Sequence, residues 1–136
     1  IYYEHETGTD QVLAGGATTA ILGTITSGDF DITQRRARGQ TVGMPDLRGD
    51  GEFIMKIRRF LPDFISQVGT TTIDFTTRDF PNSAAKTQSF TTTSATTKID
   101  TRVRARSIAM TVKNTSTSQD WKLGTFRLDI QPDGRR

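Results

Sequence analysis

The sequence predicts an all-β chain, an antiparallel β-sandwich or jelly-roll-like domain of about seven strands with a long glycine- and arginine-rich loop. Short segments of alternating apolar and polar residues recur, and turn-forming residues separate them. Threonine, which favours exposed strand faces, is used heavily, as in Thr70–Thr72 and Thr91–Thr93. At 136 residues the chain fits one β domain, residues 1–136.

The first quarter of the chain predicts short extended segments. These are Ile1–His5, Thr19–Thr26 and Asp29–Ile32, and the glycine pair Gly15-Gly16 and the turn at Ser27-Gly28 separate them. Because small residues dominate there, few side chains are available for a core.

Residues 33–52 predict a long basic loop, since glycines interrupt the segment and apolar anchors are few. Arg35, Arg36 and Arg38 form a basic cluster in it without an aromatic residue for base stacking. Nucleic-acid contact would therefore rest on charge alone. A solvent-facing loop or an inter-subunit arm is the preferred interpretation.

The middle of the chain predicts three strands. The segment Phe53–Leu61 favours a strand over a helix, because Pro62 ends it and no helix cap precedes it. Ile73–Arg78 alternates apolar and polar residues, and a Thr/Ser strand follows near Thr87–Thr93.

The last third predicts two long strands, Arg102–Asn114 and Asp120–Gln131, joined as a hairpin by the polar loop Asn114–Gln119. In the first of them the even positions change from arginine to apolar residues along one face, since side chains on a strand repeat every two residues. The positions assigned to the core are Ile73, Phe75, Ile108, Met110, Val112, Trp121, Phe126, Leu128 and Ile130.

Composition narrows the function classes. Hydrophobic residues make up only 33% of the chain, which suits a protomer that neighbours in an assembly help to stabilise. The net charge of +3 comes with interleaved acidic and basic residues rather than a long single-sign tract. Cysteine is absent, which excludes disulfides and thiolate metal sites. No apolar run is long enough to predict a membrane span.

Catalytic motifs are also missing. His5 is the sole histidine, and no nucleophile elbow or phosphate-cradling glycine loop accompanies it. We therefore predict no enzyme, no metal and no cofactor. The alternative function, a carbohydrate-binding β-sandwich for receptor attachment, would need an exposed aromatic cluster around Trp121, Tyr2 and Tyr3.

An arginine stripe is the candidate contact surface. Arg102, Arg104 and Arg106, joined by Arg127, could hold DNA phosphates without reading sequence. Pairing with carboxylates of the same chain or of a neighbouring subunit is the preferred interpretation, since arginine binds carboxylates through two parallel hydrogen bonds.

The order of five segments resembles the C-terminal region of the tail nozzle and tail tube proteins of short-tailed phages, which are related in role to packaged-DNA stabilisation proteins. These segments are Tyr3–Asp10, Ser27–Ile32, Gly51–Phe64, Lys98–Arg106 and Trp121–Arg136.

The resemblance implies a structural virion protein of the phage tail without catalysis. Copies of the chain would form a ring, usually a hexamer, around the genome-ejection channel, next to portal or adaptor tail proteins. Nonspecific contact with phage DNA is the alternative that this placement leaves open for the arginines. It also implies a longer protein, of which this sequence, beginning at Ile1 without an initiator methionine, would be the C-terminal part.

Overall fold

A computed structural model of the chain describes residues 9–13, 15–32, 53–80 and 82–134. These residues form eleven strands and no helix, so the all-β prediction is confirmed, while the predicted count of about seven strands was too low. The strands are β1 (Asp10–Val12), β2 (Thr18–Ala20), β3 (Thr24–Thr26), β4 (Met55–Leu61), β5 (Phe64–Val68), β6 (Thr71–Arg78), β7 (Lys86–Thr92), β8 (Ile99–Ala105), β9 (Ser107–Lys113), β10 (Asp120–Leu123) and β11 (Arg127–Pro132).

Two antiparallel sheets form the sandwich. One has three strands in the order β11-β4-β8, and the other has four in the order β3-β9-β6-β7. The core lies between them, where three phenylalanine rings meet edge to face: Phe60 of the first sheet with Phe75 and Phe90 of the second, at centroid distances of 5.4 and 5.7 Å. Two further pairs, β1-β2 and β10-β5, complete the described strands.

The predicted core positions all lie in or against this core. Ile73, Phe75, Ile108 and Val112 are buried, and the other five are half-buried and pack against the buried cluster. Sequence reasoning left several buried residues out of the core set, namely Met55, Ile57, Phe60, Val103 and Ala105.

The single strand predicted over Arg102–Asn114 was wrong, because the chain changes sheets at Arg106. The odd residues Val103 and Ala105 are buried in β8, whereas the even residues Ile108 and Val112 are buried in β9. A strand that crosses from one sheet to the other bends there, so the face that points to the core also changes. The arginines and the apolar even positions therefore do not share a face.

The predicted terminal hairpin was also wrong. β10 pairs with β5 and β11 pairs with β4, so neither is a partner of β9. The predicted strand over Asp120–Gln131 is interrupted at Gly124, whose N–H donates to the Asp63 carbonyl at 2.8 Å. A Cβ on Gly124 would lie 2.6 Å from that oxygen, so only glycine permits this approach.

The remaining differences lie in the shorter elements. The predicted strand Thr19–Thr26 is divided between β2 and β3, and at Asp29–Ile32 a single bridge joins Phe30 to Ile108. β5 was not predicted, because it follows the stop at Pro62 almost at once. Ile1–His5 and the loop 33–52, with Arg35, Arg36 and Arg38, lie outside the described residues.

Candidate functional site: a basic sheet face

The outer face of the β11-β4-β8 sheet, opposite the core, carries most of the charge of that sheet. In β8 the alternation is strict: Thr101, Val103 and Ala105 are buried, so Arg102 and Arg104 point outward and are exposed. We call this surface the basic face; its cations are Lys56, Arg58, Arg59, Arg102, Arg104 and Arg127, and its carboxylates are Asp100, Asp129 and Asp133.

A β-bulge places two arginines of β4 side by side on this face. Ile57 and Phe60 are both fully buried although three positions separate them, which breaks the two-residue period. The register shifts there, and Arg58 has no partner position in either neighbouring strand. An extra residue of this kind re-aims its neighbours. The basic face thus gains Arg58 and Arg59, neither of which sequence reasoning had selected.

Arg59 sits between two carboxylates. It lies opposite Asp129 of β11 and Asp100 of β8, and its Nε donates to Asp100 Oδ1 at 2.6 Å. The hydrogen bond and the charge of Asp100 raise the pKa of Arg59. Reciprocally, the hydrogen bond from Arg59 lowers the pKa of Asp100 below its ordinary value, and the charges of Lys98 and Arg58 act in the same direction. The centre of the face is therefore internally neutralised.

Arg104 is also paired within the chain. Its Nε donates to Asp133 Oδ2, just beyond the end of β11. The segment that carries Asp133 is fixed by backbone bonds: Asp133 N donates to the Ile54 carbonyl at 2.7 Å, and Ile54 N donates to the Gly134 carbonyl at 2.8 Å. The structure thus places Arg104 in an ion pair with a carboxylate of its own chain.

Arg106 does not belong to the basic face. It lies at the crossing between the two sheets, and its guanidinium carbon is 5.5 Å from the centroid of the Phe80 ring, a cation-π distance. The predicted stripe of three arginines is thus divided into two parts. Arg127 remains on the face, exposed, opposite Leu61 of β4.

Four of the six cations of the basic face are not neutralised by an ion pair with another described residue. Among the residues that the structure describes, Lys56, Arg58, Arg102 and Arg127 form no ion pair, whereas Arg59 and Arg104 do. Six cations stand against three carboxylates here, so the face is net positive. An exposed array of this kind can attract and hold an anionic partner.

The β1-β2 hairpin is a second surface of interest. It pairs with no other described strand, and the Asp10 carboxylate ties its base to the loop before β10, accepting from Ser118 N at 2.7 Å. We call its exposed apolar residues the apolar arm: they are Val12, Leu13, Ile21 and Leu22, 63%, 43%, 51% and 66% exposed.

A small cavity lies beside Trp121. Its volume is about 200 Å³, below the ~300–1,000 Å³ typical of ligand pockets. The Asn114 side chain there accepts from Gly23 N and donates to the Ile21 carbonyl, and Gln119 bonds Thr115, Ser116 and Thr70. These amides are occupied in holding loops together, which leaves the cavity few free polar groups.

Trp121 itself is half-buried, packed edge to face against Phe64 at 6.5 Å, and Tyr2 and Tyr3 lie outside the described residues. The described residues contain no group of three or more histidine or acidic side chains arranged to hold a metal ion. They also contain no helix long and apolar enough to cross a membrane.

Comparison with known proteins adds no assignment: no protein-family model matches the chain, and no similar curated protein was found.

Proposed function

We propose that this chain is a structural subunit of the tail of a short-tailed phage, where copies of it form a ring of the nozzle or tube around the genome-ejection channel. The order of the five segments described above supports the phage assignment. The apolar arm is the structural observation that carries the assembly role. Portal or adaptor tail proteins are the neighbouring partners in the virion.

The apolar arm is a poor fit to an isolated monomer. A two-stranded hairpin is marginally stable alone in water, and exposing its apolar side chains adds a further cost. Contact with a second copy would bury these side chains. A head-to-tail contact between unlike surfaces closes into a ring when its rotation permits, which is the geometry that a tail channel requires.

The apolar arm and the basic face lie on separate surfaces, so contact with a neighbouring copy through the one leaves the other exposed. The rigid core lies between the two sheets, the apolar arm stands outside them, and the basic face occupies the outer side of one sheet. A carbohydrate-binding function has weaker support, because the cavity beside Trp121 is small and its amides are engaged in structural bonds.

Size-exclusion chromatography with light scattering tests the proposal. The chain should show a molar mass that rises with concentration from the monomer value of 15.1 kDa to a closed oligomer. Replacing Val12 and Leu22 by serine should remove this association. The matched control is Ile65→Ser, which changes a side chain of β5 that is 67% exposed and lies outside the apolar arm.

A constant 15.1 kDa at all concentrations would contradict the assembly role. Equal loss of association in the control variant would show that general surface hydrophobicity, rather than the apolar arm, drives it.

A further inference from the structure

We propose that the basic face binds the phosphate backbone of duplex DNA without reading its sequence, and that Lys56, Arg58, Arg102 and Arg127 make the contacts. The choice of DNA, rather than an acidic protein, rests on the proposed function, because a tail channel conducts the genome. The charge and shape of the face support it independently.

Within the described residues none of these four cations forms an ion pair, because the carboxylates of the face are engaged with Arg59 and Arg104. Asp100 is bonded to Arg59, Asp133 to Arg104, and Asp129 acts on Arg59 from the opposite strand. An unpaired arginine on a solvent-exposed sheet is free to bind a phosphate, and its planar guanidinium matches phosphate oxygens.

The shape of the face suits a backbone contact. Adjacent strands lie about 4.8 Å apart, and alternate side chains on one strand are about 6.6 Å apart, so the cations form a shallow grid. A duplex carries one negative charge per about 1.7 Å of axis, so a duplex resting on this grid brings several phosphates within reach. The outward residues of the described sheet include no aromatic side chain, and this favours a duplex over a single strand, which binds by base stacking.

The bulge in β4 is what completes the grid. Without it, a strict two-residue period would place one of Arg58 and Arg59 on the core side of the sheet. With it, both arginines lie on the outer face, where Arg59 pairs with Asp100 and the exposed Arg58 forms no ion pair within the described residues. The same irregularity therefore stabilises the centre of the face and supplies one of its free cations.

The salt dependence of the affinity for DNA measures how many phosphates the basic face neutralises. Neutralising four phosphates predicts that log K falls with log [salt] at a slope of about −3.6, or roughly 150-fold in affinity between about 50 and 200 mM salt. Fluorescence anisotropy with two labelled duplexes of unrelated sequence measures this slope. Both duplexes should bind equally, since backbone contacts carry no sequence information.

Variants locate the contact. The double variant Arg58→Gln and Arg102→Gln should lower the slope to about −1.8 and leave roughly a 12-fold salt effect over the same range. The matched control, Lys86→Gln with Lys122→Gln, removes two exposed charges from β7 and β10 and should keep the parental slope. Thermal melting verifies that each variant folds.

A third variant tests the other basic cluster. Replacing Arg35, Arg36 and Arg38 by glutamine should leave the slope of the parent largely unchanged. If that variant loses binding while the Arg58 and Arg102 variant does not, the contact belongs to the loop 33–52 and the proposal is wrong. A heparin or polyglutamate probe that competes as well as duplex DNA would also overturn it, since the face would then be a general anion surface.

The same samples separate this proposal from the proposed function. Absence of DNA binding at about 50 mM salt, with oligomers intact by light scattering, would reject the basic face as a DNA contact and leave the assembly role standing. DNA binding by a chain that stays monomeric at every concentration would reject the assembly role and leave the basic face standing as a DNA contact.

Discussion

Replacing Phe60 by alanine should strongly lower the free energy of unfolding, because its ring makes both aromatic contacts between the two sheets of the described chain. Phe60 is fully buried on β4 and is the ring through which the three-stranded sheet meets the four-stranded one. It packs edge to face on Phe75 and Phe90, which in turn contact each other at 5.9 Å. The change therefore removes two of the three contacts in the cluster.

The expected loss has two parts. Truncating a buried phenylalanine to alanine costs about 3–5 kcal/mol through lost burial and the cavity that remains. Each edge-to-face ring pair adds about 0.5–1.5 kcal/mol beyond burial, which places Phe60→Ala in the upper half of that range. A domain of this size has only about 5–15 kcal/mol of stability, so the variant should be close to its unfolding limit.

Urea denaturation followed by circular dichroism measures the difference. Phe80→Ala is the matched control, because the same atoms are removed from a ring that is 64% exposed, and its change should stay within about 1 kcal/mol, the value of its cation-π contact with Arg106. A Phe60→Ala loss below about 1.5 kcal/mol, or one no larger than the control, would refute the packing of the two sheets through this ring.

Two further predictions concern single positions. Gly124→Ala should destabilise the fold by about 1–3 kcal/mol in the same assay, because its Cβ would meet the Asp63 carbonyl at 2.6 Å, whereas Gly28→Ala meets nothing within 4 Å and should change stability by less than about 1 kcal/mol. The pKa of Asp74 is lowered overall: burial alone would raise it, but the hydrogen bonds from Lys113, at 2.5 Å, and from Ser89 outweigh burial. Asp74 therefore contributes stability above about pH 4, and this contribution is lost as pH falls through its folded pKa. In the Lys113→Ala variant the effect of burial should prevail and raise the pKa of Asp74. The melting temperature of the variant should therefore rise relative to that of the parent as pH falls. A difference in melting temperature between variant and parent that is the same at every pH would contradict this.

The fold class could be predicted because its signals are local. The segments that became β4, β6 and β7 carry their alternation and turn residues within a few positions, and each formed a strand near its predicted place. Pairing could not be read in the same way. It depends on contacts between distant residues, and the terminal hairpin failed because β10 and β11 find partners far back in the sequence.

The candidate site was partly visible in the sequence. Arg102 and Arg127 lie on the basic face, where their alternation with apolar neighbours had placed them on an outward side. Arg106 was assigned to the same stripe because the change of sheet beside it leaves no gap in the alternation. Arg58 was missed, although the three-residue spacing from Ile57 to Phe60 was a signal of the bulge.

Electron microscopy of the virions that carry this chain, labelled with an antibody raised against it, tests the proposed role most directly. We expect label at the tail and rotational symmetry of the labelled segment around the channel axis. Label on the capsid shell, or a chain absent from the purified particle, would contradict it.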